Sequence, residues 1–179
     1  MAATIRELTS TDEVLELEPM VLEYFRIVCG HLKRDFDILI SPSEPTGNMM
    51  AQPEKFIPPL GRGYVAVQDK ALVGMVFLKP LRAPDFEIKR LYLRNEARGQ
   101  GLGKRLVRHA VDVARELGVR DLYLDSIPSL KEAISLYESE GFQHVSPYPG
   151  SEIASYDILR EVGVYMHLSL NSVEPDTKS

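Results

Sequence analysis

The sequence predicts an α/β fold: a mixed, mostly antiparallel central sheet with helices on both faces. Three observations carry that prediction. Short β-branched and aromatic runs of strand length alternate with stretches whose apolar residues recur at helical spacing. Two of the strands, over 63–68 and 71–78, are joined through Asp69 and Lys70 as a hairpin and so run antiparallel. Further on, a strand over 86–93, a glycine-rich turn at 98–103, a helix over 100–117 and a strand over 121–125 form a crossover unit, and such a connection makes its two strands parallel.

Taken in order, residues 3–8 have short alternating strand character, and Thr9, Ser10, Thr11 and Asp12 offer helix-capping side chains. Residues 12–32 read as helix, with an apolar stripe that includes Val14, Leu17, Val21, Phe25, Val28 and Leu32; Pro19 must kink or divide it. Residues 33–63 carry Pro42, Pro45, Pro53, Pro58 and Pro59 and read as irregular, with room for one short helix within 48–59. So long an irregular segment in a compact domain is usually functional or disordered. After the crossover unit, a helix over 129–140 opens on the capping-box pattern Ser129-Leu130-Lys131-Glu132 and stops at Gly141; strands follow near 142–145 and 162–170. The reading is a single domain over 1–170 with a polar tail at 171–179.

Composition excludes several classes. The length of 179 residues, 44% of them apolar, is enough for one domain with a substantial core. No stretch supplies the ~18 uninterrupted apolar residues of a membrane span, and the first residues lack a charged-then-apolar leader. The single Cys29 suits a reducing compartment, so a cytoplasmic location is expected. A net charge of −5 argues against general binding to nucleic acid or anionic membrane. Cations nevertheless concentrate around the glycine turn, where Lys89, Arg90, Arg94, Arg98, Lys104, Arg105 and Arg108 fall within one stretch of chain.

The turn itself is Arg98-Gly99-Gln100-Gly101-Leu102-Gly103, followed by Lys104. A glycine turn opening a helix leaves backbone N–H groups unpaired at the positive end of the helix dipole, where they can bind phosphate oxygens. A nucleoside-triphosphate loop would need Ser or Thr after the lysine, and Arg105 stands there. A dinucleotide fingerprint needs G-x-G-x-x-G, and this turn is one residue short, although Asp125 stands about where a ribose ligand would. The third pattern, R-x-x-G-x-G at Arg98, Gly101 and Gly103, resembles the pyrophosphate-binding loop of the GNAT N-acetyltransferases. Downstream, Ala133-Ile134-Ser135-Leu136-Tyr137-Glu138-Ser139-Glu140-Gly141-Phe142 is similar to the A-x-x-L-Y-x-x-x-G-F signature of that family. Glu87-Ile88-Lys89-Arg90-Leu91-Tyr92 and Leu124-Asp125-Ser126-Ile127-Pro128-Ser129 resemble a subgroup of it.

The resemblance, which covers about residues 3–170, implies an acetyl-CoA-dependent N-acetyltransferase acting on a primary amine of a small, amino-acid-like molecule. The transfer would proceed by direct attack in a ternary complex, with no metal, in a monomer or homodimer. A protein or peptide acceptor, a non-catalytic CoA-binding domain and a dinucleotide-binding domain are the alternatives. The cofactor would meet Arg98, Gly99, Gln100, Gly101, Leu102, Gly103 and Lys104 at the turn, the backbone of Leu91, Tyr92 and Leu93 along the splayed central strand, and Ser126. Ser126 enters because Leu130 stands where many members have an asparagine that contacts pantetheine; Ser129, or no contact there, is the alternative. Tyr137 matches the tyrosine that protonates the leaving sulfur; packing on its helix is the plainer role. Glu87 is the candidate base, with an ion pair to Lys89 as the alternative, and Lys89 could instead hold a substrate carboxylate. Lys55, Phe56 and Tyr148 are expected beside the acceptor. Cys29 reads as a core thiol, and the four histidines lack metal-ligand spacing.

Overall fold

The computed structural model describes residues 2–170. Seven strands form one sheet in the order β1-β2-β3-β4-β5-β7-β6. They are β1 (Thr4–Glu7), β2 (Arg62–Gln68), β3 (Ala71–Pro80), β4 (Phe86–Leu93), β5 (Asp121–Ser126), β6 (Gln143–His144) and β7 (Val164–Ser169). Every pairing is antiparallel except β4 with β5. Chain order therefore places the one parallel step at the middle of the sheet, and that is where the site forms.

Among the described residues, six α-helices accompany the sheet: α1 (Thr11–Leu15), α2 (Glu18–Phe36), α3 (Ser43–Met50), α4 (Leu102–Glu116), α5 (Lys131–Ser139) and α6 (Asp157–Arg160). Pro19 does divide the first helical stretch, since it occupies the opening turn of α2, where its missing N–H costs nothing. Ser10 accepts from the Glu13 N–H, and Glu13 reaches back to the Thr9 N–H at 2.7 Å, so α1 has a reciprocal cap. One face of the sheet packs on α4 and α5 through Leu102, Leu106, Ala110, Leu122, Tyr137 and Met166. The other packs on α1 and α2 through Val14, Leu17, Val21, Phe25, Met75 and Phe77. A third, smaller cluster of Leu32, Ile38, Ile127 and Leu159 closes the far end of α2.

Two expectations change. The segment 33–63 is more regular than its prolines suggested: α3 and a 3₁₀ turn, Pro53–Phe56, occupy much of it. The capping box at Ser129 does not form; α5 starts two residues later without a side-chain cap, and the Ser129 hydroxyl donates to Asp35 at 2.5 Å. That bond ties the loop before α5 to the end of α2, a tertiary use of a locally plausible cap. The polar tail at 171–179 lies outside the described residues. Among those described, no helix is long and apolar enough to cross a membrane.

Candidate acyl-transfer site

Strands β4 and β5 pair only at Phe86 with Leu122 and at Glu87 with Tyr123, and then part. On its other edge β4 carries a bulge: Met75 faces Tyr92 and Phe77 faces Lys89, so Val76 alone opposes Arg90 and Leu91. Arg90 absorbs the extra residue in the left-handed region, at φ 56°. Past the bulge, Leu91, Tyr92 and Leu93 border an open groove of about 310 Å3 that runs to the glycine turn. Arg98, Gly99, Gly101, Leu102, Gly103 and Lys104 line its far wall, with Ala133 and Leu136 of α5 opposite.

The turn fits a phosphorylated ligand. Gly99 and Gly101 have φ of 74° and 73°, and a Cβ built on either meets no atom within 4 Å, so their backbone faces open space. Gly101 caps α4 with no side-chain hydrogen bond, and the first turn of α4 holds no acid that would occupy its free N–H groups. Arg98 bonds the Leu93 carbonyl at 3.0 Å, which pins the turn to the end of β4. Gln100 bonds the Glu96 carbonyl and stays out of the groove lining.

A second cavity, of about 150 Å3, lies on the other side of Tyr24, Val28 and Leu130, which border both. Its walls are largely apolar: Phe25, Cys29 and Leu32 of α2, Ile40, Ile127 and Leu159. Its polar atoms belong to Arg90, Asp125, Ser126 and Glu152 together with Asn48, Ser155 and Tyr156.

Behind those polar atoms is a buried charge cluster. The Lys89 ammonium, 1% exposed, lies 2.8 Å from Asp125, 3.3 Å from Glu152 and 3.6 Å from Glu87. Burial alone would discharge it, but the three carboxylates outweigh that and hold it well above the ordinary lysine range. Arg90 meets both Glu152 oxygens through Nη2, at 2.8 and 3.0 Å, and its guanidinium lies 4.7 Å from the centre of the Phe25 ring. Asp125 also accepts from the Ser151 hydroxyl and the Ile153 N–H. Burial pulls upward on Asp125 and Glu152, yet the neighbouring cations, Lys89 at Asp125 and Arg90 foremost at Glu152, keep both below the usual carboxylate range.

Glu87 differs. It is 0% exposed, accepts from the Tyr148 hydroxyl at 2.7 Å, and its Oε2 lacks a hydrogen-bond partner among the described residues. Burial raises its affinity for a proton more than Lys89 lowers it.

The sequence-predicted residues therefore separate. Leu91, Tyr92, Leu93 and most of the 98–104 turn come together on the groove. Ser126 lines the smaller cavity instead. Glu87 stands behind the cavity wall, with Tyr148 as its partner, and Lys89 is enclosed by three carboxylates. Lys55 and Phe56 border neither cavity; Phe56 is core, edge-on to Phe77 at 5.3 Å. Tyr137 is 6% exposed and packs on Phe142 at 5.7 Å. Burial pushes its hydroxyl, and that of Tyr24, above the ordinary tyrosine range. Tyr24 borders both cavities, and Tyr137 borders neither. Arg90, Glu152 and Tyr24 escaped the sequence reading. Arg90 lies inside the Glu87–Tyr92 motif, but its place beside Glu152 depends on the bulge, which the motif does not reveal. Among the described residues, no cluster of His, Cys, Asp and Glu could hold a metal ion.

The sheet opens beside its one parallel pair, with a glycine turn at the mouth of one cavity and a second cavity behind, which makes room for a phosphorylated ligand and a second molecule. The acetyltransferase (GNAT) family model matches residues 30–142, more than half of the chain, and the chain belongs to that family. It is 29% identical over 155 residues to an uncharacterized N-acetyltransferase of Schizosaccharomyces pombe, covering 86% of this chain and 91% of that protein. It is 38% identical over 85 residues to human N-acetyltransferase 8B, a match covering 45% of this chain and 37% of the human protein. In fold it is similar to a GNAT-family acetyltransferase of Staphylococcus aureus, with a TM-score of 0.69, 18% identity and coverage of 95% of this chain and all of that one. A Bacillus subtilis acetyltransferase in complex with CoA gives a TM-score of 0.64 at 22% identity, over 95% of this chain and all of that one. The protein is thus an acetyl-CoA-dependent acyltransferase.

Proposed function

We propose that the protein transfers the acetyl group of acetyl-CoA to the primary amine of a small molecule held in the 150 Å3 cavity. The observation that carries this reading is the pair of cavities that meet at Tyr24, Val28 and Leu130, one opening on the phosphate-cradling turn and the other lined by apolar and charged side chains. The smaller cavity falls below the ~300–1,000 Å3 of sites for drug-sized ligands, which favours a small acceptor over a peptide.

Acetyl-CoA supplies an activated acyl thioester. Amine and acetyl-CoA become amide and CoA: a C–N bond forms, the C–S bond breaks, the amine loses a proton and the sulfur gains one. The turn at 98–104 holds the pyrophosphate through backbone N–H groups, and the free edge of β4 at 91–93 lies along the pantetheine arm. Glu87, with its raised proton affinity, is the carboxylate suited to accept the amine proton; Asp125 and Glu152 are held ionised by cations and are weaker bases. Because Glu87 stands behind the wall, the proton reaches it indirectly.

Tyr137 is the proposed proton donor to sulfur, with its hydroxyl kept protonated by burial. Tyr24 is a second candidate because it borders both cavities. Release of CoA thiol from acetyl-CoA, measured across amino acids, polyamines, aminoglycosides and short peptides, tests the reading. Wild-type turnover with one small-molecule class is expected. A fall of about 100-fold in Tyr137→Phe, with CoA binding retained, would assign the acid. The same loss in Tyr24→Phe alone would move the role to Tyr24, and turnover confined to peptides would replace the small-molecule acceptor.

A further inference from the structure

The smaller cavity has one cation with donors to spare. Arg90 is 6% exposed and lines the cavity; its Nη2 bonds Glu152, its guanidinium lies over Phe25, and its Nε has no hydrogen-bond partner among the described residues. A guanidinium offers five N–H donors in a planar fork suited to a second carboxylate. The left-handed backbone at Arg90 shows that the chain accepts local strain to turn this side chain inward. Lys89, the other cation of the cluster, is already surrounded by Glu87, Asp125 and Glu152 and has no comparable freedom.

The rest of the wall sets the remainder of the ligand. Leu32, Ile40, Ile127 and Leu159 give the cavity apolar walls that the groove does not share. An apolar cavity of about this volume can hold a benzene ring. Tyr24 at the shared border marks where an amine would meet the thioester.

We propose that the acceptor is an α-amino acid with an apolar side chain, its carboxylate held by Arg90, its side chain among Leu32, Ile40, Ile127 and Leu159, and its amine at the Tyr24 border. This rests on the acetyltransferase reading above and names the substrate class of that site.

The test compares wild-type kcat/KM for L-phenylalanine and L-leucine with that for phenylalaninamide, phenethylamine and L-glutamate, with acetyl-CoA binding measured alongside by thermal shift. A charge-assisted contact to a buried guanidinium should make the free carboxylate worth at least tenfold over its amide or decarboxylated analogue. The same preference should shrink to about twofold or less in Arg90→Gln. Equal turnover with and without the carboxylate overturns the proposal, and so does preference for glutamate over the apolar amino acids. Should Arg90→Gln fail to fold, the wild-type comparison decides alone. If no amino acid reacts while acetyl-CoA still binds, the acceptor class is wrong and the cofactor site stands; if acetyl-CoA does not bind, the acetyltransferase reading itself falls.

Discussion

Replacing Gly101 by alanine separates the cost of the turn to the fold from its value to the ligand. Gly101 has φ of 73°, and a Cβ there meets nothing within 4 Å, so alanine brings backbone strain and no clash. Left-handed strain of ~1–2 kcal/mol in a domain of this size lowers Tm by ~2–8 °C. On the proposed reading of the turn, the new methyl enters the open space that receives the pyrophosphate. Losing one or two charge-assisted bonds from backbone N–H groups, at ~1.5–3 kcal/mol each, weakens CoA binding about 100-fold. Thermal unfolding with and without CoA reads both effects. At a CoA concentration of about 100 times the wild-type Kd, wild type gains ~2.7 kcal/mol and the variant only ~0.4 kcal/mol. Those gains correspond to rises in Tm of ~5–11 °C and ~1–2 °C. A variant that loses stability as expected but keeps the full CoA-induced rise would show that CoA does not approach this backbone, and the reading of the turn would be wrong.

The charge cluster yields two more expectations. Glu87 binds its proton more tightly in the folded chain than at its ordinary value of 4.5, so its favourable contribution is present below that pH and is lost as pH rises through its raised folded value. Glu87→Gln should therefore gain stability relative to wild type as pH rises from about 5 to 8, with a slope of up to ~1.4 kcal/mol per pH between the ordinary and the raised value; a Tm difference that is flat with pH would contradict it. Glu152→Ala leaves the Arg90 guanidinium, 5% exposed, without its carboxylate; because Glu152 itself is 40% exposed, the ~3–5 kcal/mol of a fully buried pair is discounted to about 2 kcal/mol, or ~4–8 °C. An unchanged Tm would mean that Arg90 finds other partners.

Much of the sheet and of the groove beside the glycine turn was legible because both rest on local signals. Strand alternation, the Asp69-Lys70 hairpin and the glycine turn each follow from residues adjacent in sequence. The smaller cavity and the charge cluster behind it rest on chain-distant contacts and were only partly legible. Period-two alternation puts Lys89 on one face of β4 and Arg90 on the other; the bulge brings both to Glu152, which comes from a loop 62 residues after Arg90. Tyr148 was placed beside the acceptor from its motif, but its partner proved to be Glu87, 61 residues earlier. Phe56 failed for a simpler reason, since an aromatic in a proline-rich loop looks exposed until a 3₁₀ turn packs it on Phe77. Ser129 fitted a helix cap by spacing, and the tertiary bond to Asp35 took it instead.

Direct transfer between two abutting cavities is tested most directly by initial rates of CoA release with acetyl-CoA and the reactive amine both varied. Attack within a ternary complex predicts intersecting double-reciprocal lines and no acetyl group left on the protein. Parallel lines, with acetyl on Cys29 detected by mass spectrometry after exposure to acetyl-CoA alone, would establish a covalent two-step route. Cys29 lines the smaller cavity, and burial raises its thiol above the usual range, so the intersecting pattern is the expected one.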